Sequence, residues 1–352
     1  MSPDTLPHNR SDGARVLRVA QWATGNIGSR ALRAVIAHPG MELAGLYVHS
    51  PGKAGIDAGA LCGVANTGVA ATNSIDDIIA AHPDCVLYMP QVFDAGEICR
   101  LLESGVNVVT TCGQVHHPAS MDAGLRDRIE DGCRAGGTSI HATGSSPGFI
   151  TEAIPLALAS IQRRLDGLLI EEFADLSQRN SPAMLFEVMG FGQPATAFDQ
   201  LRADHVGGSF APSLRVLADA LGLETGELRT HGEYATTPAD LEIAAGTLSA
   251  GTIAAQRITV SLGPVLTFRA TWYCTRILDA RWDVRDTGWH IDIAGDAPLD
   301  VDLRFPFTLD RMSEMSPGYT ANRAVNAVAA VCRAQPGIRT TLDLPHLIST
   351  LV

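Results

Sequence analysis

The sequence of 352 residues predicts an α/β protein in which a doubly wound parallel sheet is followed by a second α+β domain with a mostly antiparallel sheet. Strands alternate with helices up to residue 150, and such alternation is typical of parallel sheets. Between residues 241 and 307 several strand signals follow one another without helices, which favours antiparallel pairing.

The clearest local signal lies at the start of the first region. An apolar strand over residues 16–22 is followed by a turn that holds Gly25 and Gly28, and then by an amphipathic helix. This order directs backbone N–H groups and a helix N-terminus to one point, which attracts a pyrophosphate. Trp22 and Ala23 stand where a fuller motif has its first glycine. The segment predicts a Rossmann-type dinucleotide site that uses Thr24, Gly25, Asn26, Ile27 and Gly28.

The later elements of the first region follow from strand propensity, helix starts, and glycine or proline stops. Predicted strands cover residues 42–48, 84–89, 107–111 and 138–142, and predicted helices cover 29–37, 97–103 and 119–135, with another helix starting at Ser74.

The second region opens with a predicted helix, and its last helix is expected to return to the first domain. Predicted helices cover residues 151–161, 182–189, 196–205, 212–221 and 320–334, and predicted strands cover 168–174, 252–262, 265–279, 289–293 and 299–305. We expect a flexible tail (1–14), a dinucleotide-binding domain (15–150), a substrate and dimerisation domain (151–318) and a returning C-terminal segment (319–352).

Composition excludes several classes of protein. The net charge of −12 argues against nucleic acid as a partner. The chain has no apolar run of about 18 residues, so no membrane partner is expected. Residues 1–14 lack the apolar stretch of a signal peptide, which favours a cytoplasmic location. The seven cysteines lack metal-ligand spacing, and motifs of serine hydrolases, zinc peptidases and P-loop enzymes are missing, so no metal site is predicted.

The loop after the second strand bears on the choice of cofactor. An acidic residue at this strand end would bind a free ribose 2′-hydroxyl and favour NAD. Here His49, Ser50 and Lys53 come first, and no carboxylate appears before Asp57. These groups suit a 2′-phosphate, so NADP is the preferred cofactor and NAD the alternative. A solvated polar loop is the competing interpretation.

Several residues fall at the carboxyl ends of predicted parallel strands, which is where open α/β sheets bind ligands. We expect these residues to line the nicotinamide side, although each also fits an ordinary strand end or turn: Met89, Pro90, Thr111, Cys112 and Ser146.

Two adjacent histidines follow the strand over 107–111. His116 or His117 could donate a proton to a carbonyl or imine as hydride arrives, because an imidazole titrates near neutral pH. The competing interpretation is a surface histidine pair without a role. His141, inside a strand, is predicted to be a packed core histidine.

The substrate side is less well defined by the sequence. Glu171 lies on a predicted strand and could meet a substrate amine, or it could simply lie on a solvated strand face. Met184, Phe186 and Met189 could wall an apolar substrate pocket, and core packing explains them equally well.

Three stretches together resemble the dihydrodipicolinate-reductase-like superfamily, namely residues 20–28, 49–59 and 144–149. Residues 189–192 and 319–326 also resemble its branch of 2,4-diaminopentanoate and native amine dehydrogenases. The resemblance implies NAD(P)H-dependent reduction of an imine or oxidation of an amine, a Rossmann domain, an α+β substrate domain and a homodimer.

The chain departs from that family at two places. The His-His pair with a following Lys of true dihydrodipicolinate reductases is absent after Gly148. The amine-binding glutamate of the amine dehydrogenases falls on Gly113 or Gln114, which leaves Gln114 as a candidate beside the histidines. The sequence therefore predicts an NAD(P)H-dependent oxidoreductase for a C=N or C=O bond of a small apolar molecule. The alternative is a non-catalytic NADPH-binding regulatory or sensor protein.

Overall fold

Two six-stranded sheets organise the chain, for which the computed structural model describes residues 15–350. The predicted tail over residues 1–14 lies outside the described residues. The strands are β1 Leu17–Trp22, β2 Met41–Tyr47, β3 Cys85–Tyr88, β4 Asn107–Thr110, β5 Ser139–Ala142, β6 Leu165–Asp175, β7 Leu228–Thr236, β8 Leu241–Ile243, β9 Gly246–Leu248, β10 Ile253–Leu262, β11 Leu266–Tyr273, β12 Gly288–Gly295, β13 Leu299–Arg304 and β14 Gly337–Arg339. The α-helices are α1 Asn26–Ala37, α2 Ala58–Cys62, α3 Ile75–Ala80, α4 Ala95–Glu103, α5 Ala123–Gly136, α6 Ile154–Ala159, α7 Gln200–Leu221 and α8 Met312–Val331.

The first sheet has the strand order β14-β5-β4-β3-β1-β2, and all of its neighbouring strands run parallel. Its central strands are buried on both faces, which is why they read as short apolar runs in the sequence. Helices α4 and α5 cover one face, and α1 and α8 cover the other. This arrangement confirms the predicted doubly wound sheet.

The second sheet has the order β13-β12-β6-β11-β10-β7, and only β6 and β11 pair in parallel. The prediction of a mostly antiparallel sheet is therefore confirmed. Helix α7 packs on one face through Leu214 and Leu217. The loop over residues 274–287 folds across part of the other face, where Trp282 stacks at 4.4 Å on the guanidinium of Arg257.

Two predicted helices, 196–205 and 212–221, are wrong because the structure has the single helix α7 with Pro212 inside it. The glycines between them do not end the helix. A methyl group on Gly207 would lie 2.3 Å from Cγ2 of Thr230, so this glycine allows the helix to pack closely on β7. The strand predicted over 265–279 is also too long, since β11 ends at Tyr273 and the covering loop begins there.

The C-terminal segment completes the first sheet. Helix α8 packs against α1, and β14 extends the sheet beside β5. Helix α8 starts earlier than predicted and contains Pro317 near its start. None of the helices within residues 15–350 combines the length and the apolar character needed to cross a bilayer.

Candidate active site

The turn after β1 has the shape of a phosphate-binding turn without the first glycine. Ala23 takes that position with a φ of 74°, the left-handed region that normally selects glycine. The amide Nε2 of Gln21 donates hydrogen bonds of 3.0 Å to the carbonyl oxygens of Trp22 and Ala23. A side chain therefore holds the turn in the conformation that glycine would otherwise permit.

Gly25 and Gly28, the two glycines of this turn, have different structural roles. A Cβ built on Gly28 would lie 2.3 Å from the carbonyl oxygen of Ala23, so this position must stay without a side chain for α1 to pack against the turn. A Cβ on Gly25 would meet nothing within 4 Å, so a ligand can approach the backbone there. Asn26 and Ile27 form the first turn of α1, whose N-terminus favours an anion.

The end of β2 offers cationic and neutral donors. Lys53 donates from Nζ to Oγ1 of Thr24 at 3.0 Å, which places its charge beside the turn. The Asp57 carboxylate is already engaged by backbone amides, including those of Gly59, Thr67 and Gly68. The Thr67 amide makes the largest contribution to lowering the pKa of Asp57. This carboxylate is therefore not available to bind a ribose hydroxyl.

A cleft of about 410 Å³ collects most of the predicted cofactor residues. It lies at the carboxyl ends of β1, β2 and β3, as expected for a doubly wound sheet. Of the predicted residues, the cleft is lined by Thr24, Gly25, His49, Ser50, Lys53, Met89 and Pro90. An open backbone turn, a helix N-terminus and a lysine make a donor set that fits a phosphorylated dinucleotide.

The neighbouring strand ends carry the residues predicted for the nicotinamide side. Cys112 lies after β4, with its Sγ 3.6 Å from the Pro90 carbonyl oxygen, and burial raises the pKa of its thiol. The Thr111 backbone amide donates to the Tyr88 carbonyl oxygen. After β5, the hydroxyl of Ser146 is buried and has no hydrogen-bond partner among residues 15–350.

Both predicted histidines are buried rather than surface-exposed, and each contacts a different carboxylate. His117 uses both ring nitrogens, since Nδ1 lies 2.8 Å from Oγ of Ser120 and Nε2 lies 2.8 Å from Oδ2 of Asp219. Asp219 belongs to α7. His117 therefore ties the loop after β4 to the helix that covers the second sheet.

His116 contacts the most deeply buried carboxylate of the site. Its Nδ1 lies 3.0 Å from Oε1 of Glu152, and the side chains are only 3% and 1% exposed. Ser213 of α7 donates to the same oxygen at 2.5 Å, and the hydroxyl of Thr341 donates to Oε2. Burial alone would raise the pKa of Glu152, but His116 and these hydroxyl donors outweigh it and lower the pKa. Glu152 is therefore an anion that fixes the imidazole.

Gln114 and Gly113 lie in the short turn Gly113–Val115 that precedes these histidines. Gln114 is exposed. A Cβ on Gly113 would come within 3.8 Å of the Ser209 carbonyl oxygen of α7, so the turn runs close to that helix. No carboxylate occupies this position, and Glu152 reaches the histidine from a different segment.

The four residues predicted to bind the substrate do not line the cleft that collects the cofactor residues. Glu171 forms an ion pair of 2.9 Å with Arg269 on the face of the second sheet opposite α7. Phe186 and Met189 pack into a small apolar cluster that includes residues of β8 and β9, while Met184 is 38% exposed. Their contribution to a substrate pocket stays a prediction.

Glu152 was not singled out by the sequence reasoning, although a signal exists. It is the only charged residue in the apolar run over 149–159, and an isolated carboxylate in such a run indicates a buried, partnered group. Its partners Ser213 and Thr341 are far away in sequence, and no local pattern identifies them.

Comparison with known proteins supports this assignment of fold. The family described as dihydrodipicolinate reductase, N-terminus, matches residues 22–113. An amine dehydrogenase of Streptomyces virginiae is 28% identical over 342 residues, which cover 92% of this chain and 95% of that protein. The predicted superfamily resemblance is thereby confirmed.

Solved structures share the architecture at lower identity. An amine dehydrogenase from Mycobacterium smegmatis superposes with a TM-score of 0.69 at 20% identity, covering 98% of this chain and 99% of that one. A putative myo-inositol dehydrogenase from Sinorhizobium meliloti gives 0.53 at 15% identity, covering 90% and 89%. These similarities concern the fold.

Proposed function

We propose that this chain, which resembles the dihydrodipicolinate-reductase-like superfamily, is an NADP-dependent oxidoreductase that reduces a C=N or C=O bond of a small, largely apolar molecule. The observation that supports this most is the cleft at the strand ends. The backbone at Gly25 is open to a ligand there, and Lys53 also lines the cleft. The nicotinamide supplies the hydride when it is bound. The protein supplies orientation and a proton.

The preference for NADP rests on charge at the end of β2. Lys53 offers a cation and Ser50 a hydroxyl within the cleft, and both groups suit a phosphate. Asp57 is turned into its own loop by backbone hydrogen bonds, so no carboxylate repels a 2′-phosphate there. NAD is the weaker cofactor in this proposal.

His116 is the proton donor in this proposal. Glu152 holds Nδ1, which leaves Nε2 as the atom that can carry a proton toward the substrate. An ionised carboxylate behind an imidazole stabilises the imidazolium and fixes its orientation, as in other carboxylate–histidine pairs. The Nε2 proton passes to the carbonyl oxygen or imine nitrogen as the new C–H bond forms, and solvent then restores it. His117 has both nitrogens engaged and acts as a positioning residue.

The proposed substrate arrives as a carbonyl compound or a preformed imine. Binding free ammonia calls for a carboxylate near the reacting carbon, and positions 113 and 114 provide none. Both oxygens of Glu152 already accept hydrogen bonds. The site is therefore better suited to donating a proton than to holding ammonium.

The test is NADPH consumption by the full chain with a panel of ketones, aldehydes and cyclic imines, each with and without ammonium. We expect turnover that does not depend on ammonium, with alcohols or cyclic amines as products. If primary amines form only when ammonium is present, the proposed ammonium-independent reduction is wrong and the chain has amine dehydrogenase activity. Saturable NADPH binding without turnover across the panel would favour the non-catalytic sensor.

A further inference from the structure

A second cavity, of about 510 Å³, shares no lining residue with the cofactor cleft. It lies on the α8 side of the first sheet and is bounded by α6, α8 and residues 341–347; we call it the C-terminal cavity. Most of its wall is apolar, including Phe149, Leu156 and Leu347. Its size falls within the range of small-molecule sites.

Arg323 of α8 lines this cavity and lacks a partner for part of its guanidinium. Its side chain lies 5.8 Å from the ring of Phe149, and its buried Nε has no hydrogen-bond partner among residues 15–350. Glu152 acts on Arg323 electrostatically, but its oxygens bond to other groups. A half-buried cation in an apolar wall is costly unless an anion accompanies it.

His141 lines the same cavity and presents an acceptor. It is 1% exposed, and its Nδ1 lies 2.7 Å from the carbonyl oxygen of Arg339, so Nδ1 carries the hydrogen. Burial lowers the pKa of His141 to about 4, so the ring is neutral at pH 7 and Nε2 is unprotonated. This Nε2 is buried and unpartnered within the described part of the chain.

We propose that the C-terminal cavity binds a second small molecule, an apolar carboxylic acid that also carries an amino or hydroxyl group. The carboxylate pairs with Arg323, the amino or hydroxyl hydrogen is donated to Nε2 of His141, and the apolar body packs on Phe149 and Leu156. This site goes beyond the proposed oxidoreductase function and does not depend on it.

A bound water molecule would satisfy only part of the polar groups in the cavity wall. Water could donate to Nε2 of His141, but it brings no negative charge to Arg323 and gains nothing from the apolar lining. The amphipathic acid satisfies the cation, the acceptor and the apolar surface together.

The test is isothermal titration of the full chain with four probes of one shape: leucine, 2-hydroxy-4-methylpentanoate, 4-methylpentanoate and 3-methylbutylamine. We expect saturable binding of leucine or the hydroxy acid, on the order of tenfold weaker binding of the plain acid, and no binding of the amine. Binding only by leucine or only by the hydroxy acid identifies the donor. No saturable binding by any carboxylate overturns the proposal.

Variants locate the site. Arg323→Gln should weaken binding by at least about tenfold, and Arg323→Lys should restore part of it because the charge is kept. His141→Asn should remove the advantage of the donor-bearing acids. Arg333→Gln, at an exposed arginine just beyond α8, is the matched control. Unchanged affinity in Arg323→Gln, or loss of binding when NADPH is saturating, would contradict a separate C-terminal site.

Discussion

The cofactor cleft and the buried contact between His116 and Glu152 are built in opposite ways. The cleft takes most of its wall from residues 23–53, and its chemistry depends on backbone and on a few exposed side chains. The histidine–glutamate contact joins the loop after β4, the segment after β5, α7 and the C-terminal segment. The first can be recognised in one short stretch of sequence, whereas the second exists only once distant segments have packed.

The largest expected effect lies in the buried contact. Replacing His116 with Gln keeps a donor for Glu152 but removes the transferable proton, so kcat should fall by about 10²- to 10⁴-fold. His117→Gln is the matched change, and we expect a much smaller loss because both nitrogens of His117 serve the loop. Steady-state rates against pH with the best panel substrate measure this. Equal losses in the two variants would remove His116 as the proton donor.

In the cleft, two glycine variants should separate folding from binding. Gly28→Ala places a methyl group against the Ala23 carbonyl oxygen and should lower the free energy of unfolding by about 3 kcal/mol. Gly25→Ala puts its methyl group into open space, so stability should hold while NADPH affinity falls on the order of tenfold. Urea unfolding and NADPH titration of both variants report the two effects. A destabilised Gly25→Ala variant would mean that the turn is shaped differently.

Acid should lower the stability of the folded chain through His141, which is buried in strand β5. The pKa of His141 is about 4 in the folded chain because of burial, while an unfolded histidine titrates near 6.5. The unfolded state therefore binds more protons between these values. This group should reduce stability by up to about 3 kcal/mol as the pH falls from about 6.5 to about 4.

Urea midpoints at several pH values test the prediction for His141. His141→Gln should flatten the slope across that interval, and His205→Gln, at an exposed histidine of α7, should leave it unchanged. A slope that survives in His141→Gln would assign the acid sensitivity to another group.

The smallest expected effect concerns the choice between cofactors. Lys53→Ala should weaken NADPH by about tenfold and leave NADH nearly unchanged, because only the 2′-phosphate needs the cation. Fluorescence titration with both nucleotides measures the ratio. An equal loss for NADPH and NADH would mean that Lys53 contacts the shared part of the dinucleotide.

Local signals predicted the first sheet, and several residues predicted to bind the cofactor line one cleft, for a physical reason. Gly25, Gly28 and the short buried strands act over a few residues, so their spacing alone specifies the geometry. Helix α7 was predicted as two helices because glycine and proline usually end a helix. The close approach of Gly207 to Thr230 supplies a tertiary reason for glycine that a local pattern does not contain.

The candidate site was predicted in part. The histidine pair was located, but its burial was not, because the carboxylate partners Glu152 and Asp219 come from distant segments of the chain. Glu152 has a weak signal as a lone carboxylate in an apolar run. Asp219, the partner of His117, looks like any exposed helix residue and becomes meaningful only through packing.

The return of the C-terminal segment has a consequence for how the chain acquires its structure. Helices α1 and α8 together cover one face of the first sheet, so this face is only partly covered until residues 312–331 pack against it. Strand β14 then adds the last strand of the sheet beside β5. These contacts span nearly the whole chain, so the contact order of the first domain is high and its folding is expected to be slow. During translation this face of the sheet is expected to lack its cover from α8 until residues 312–331 have been synthesised, so the nascent chain exposes apolar surface there.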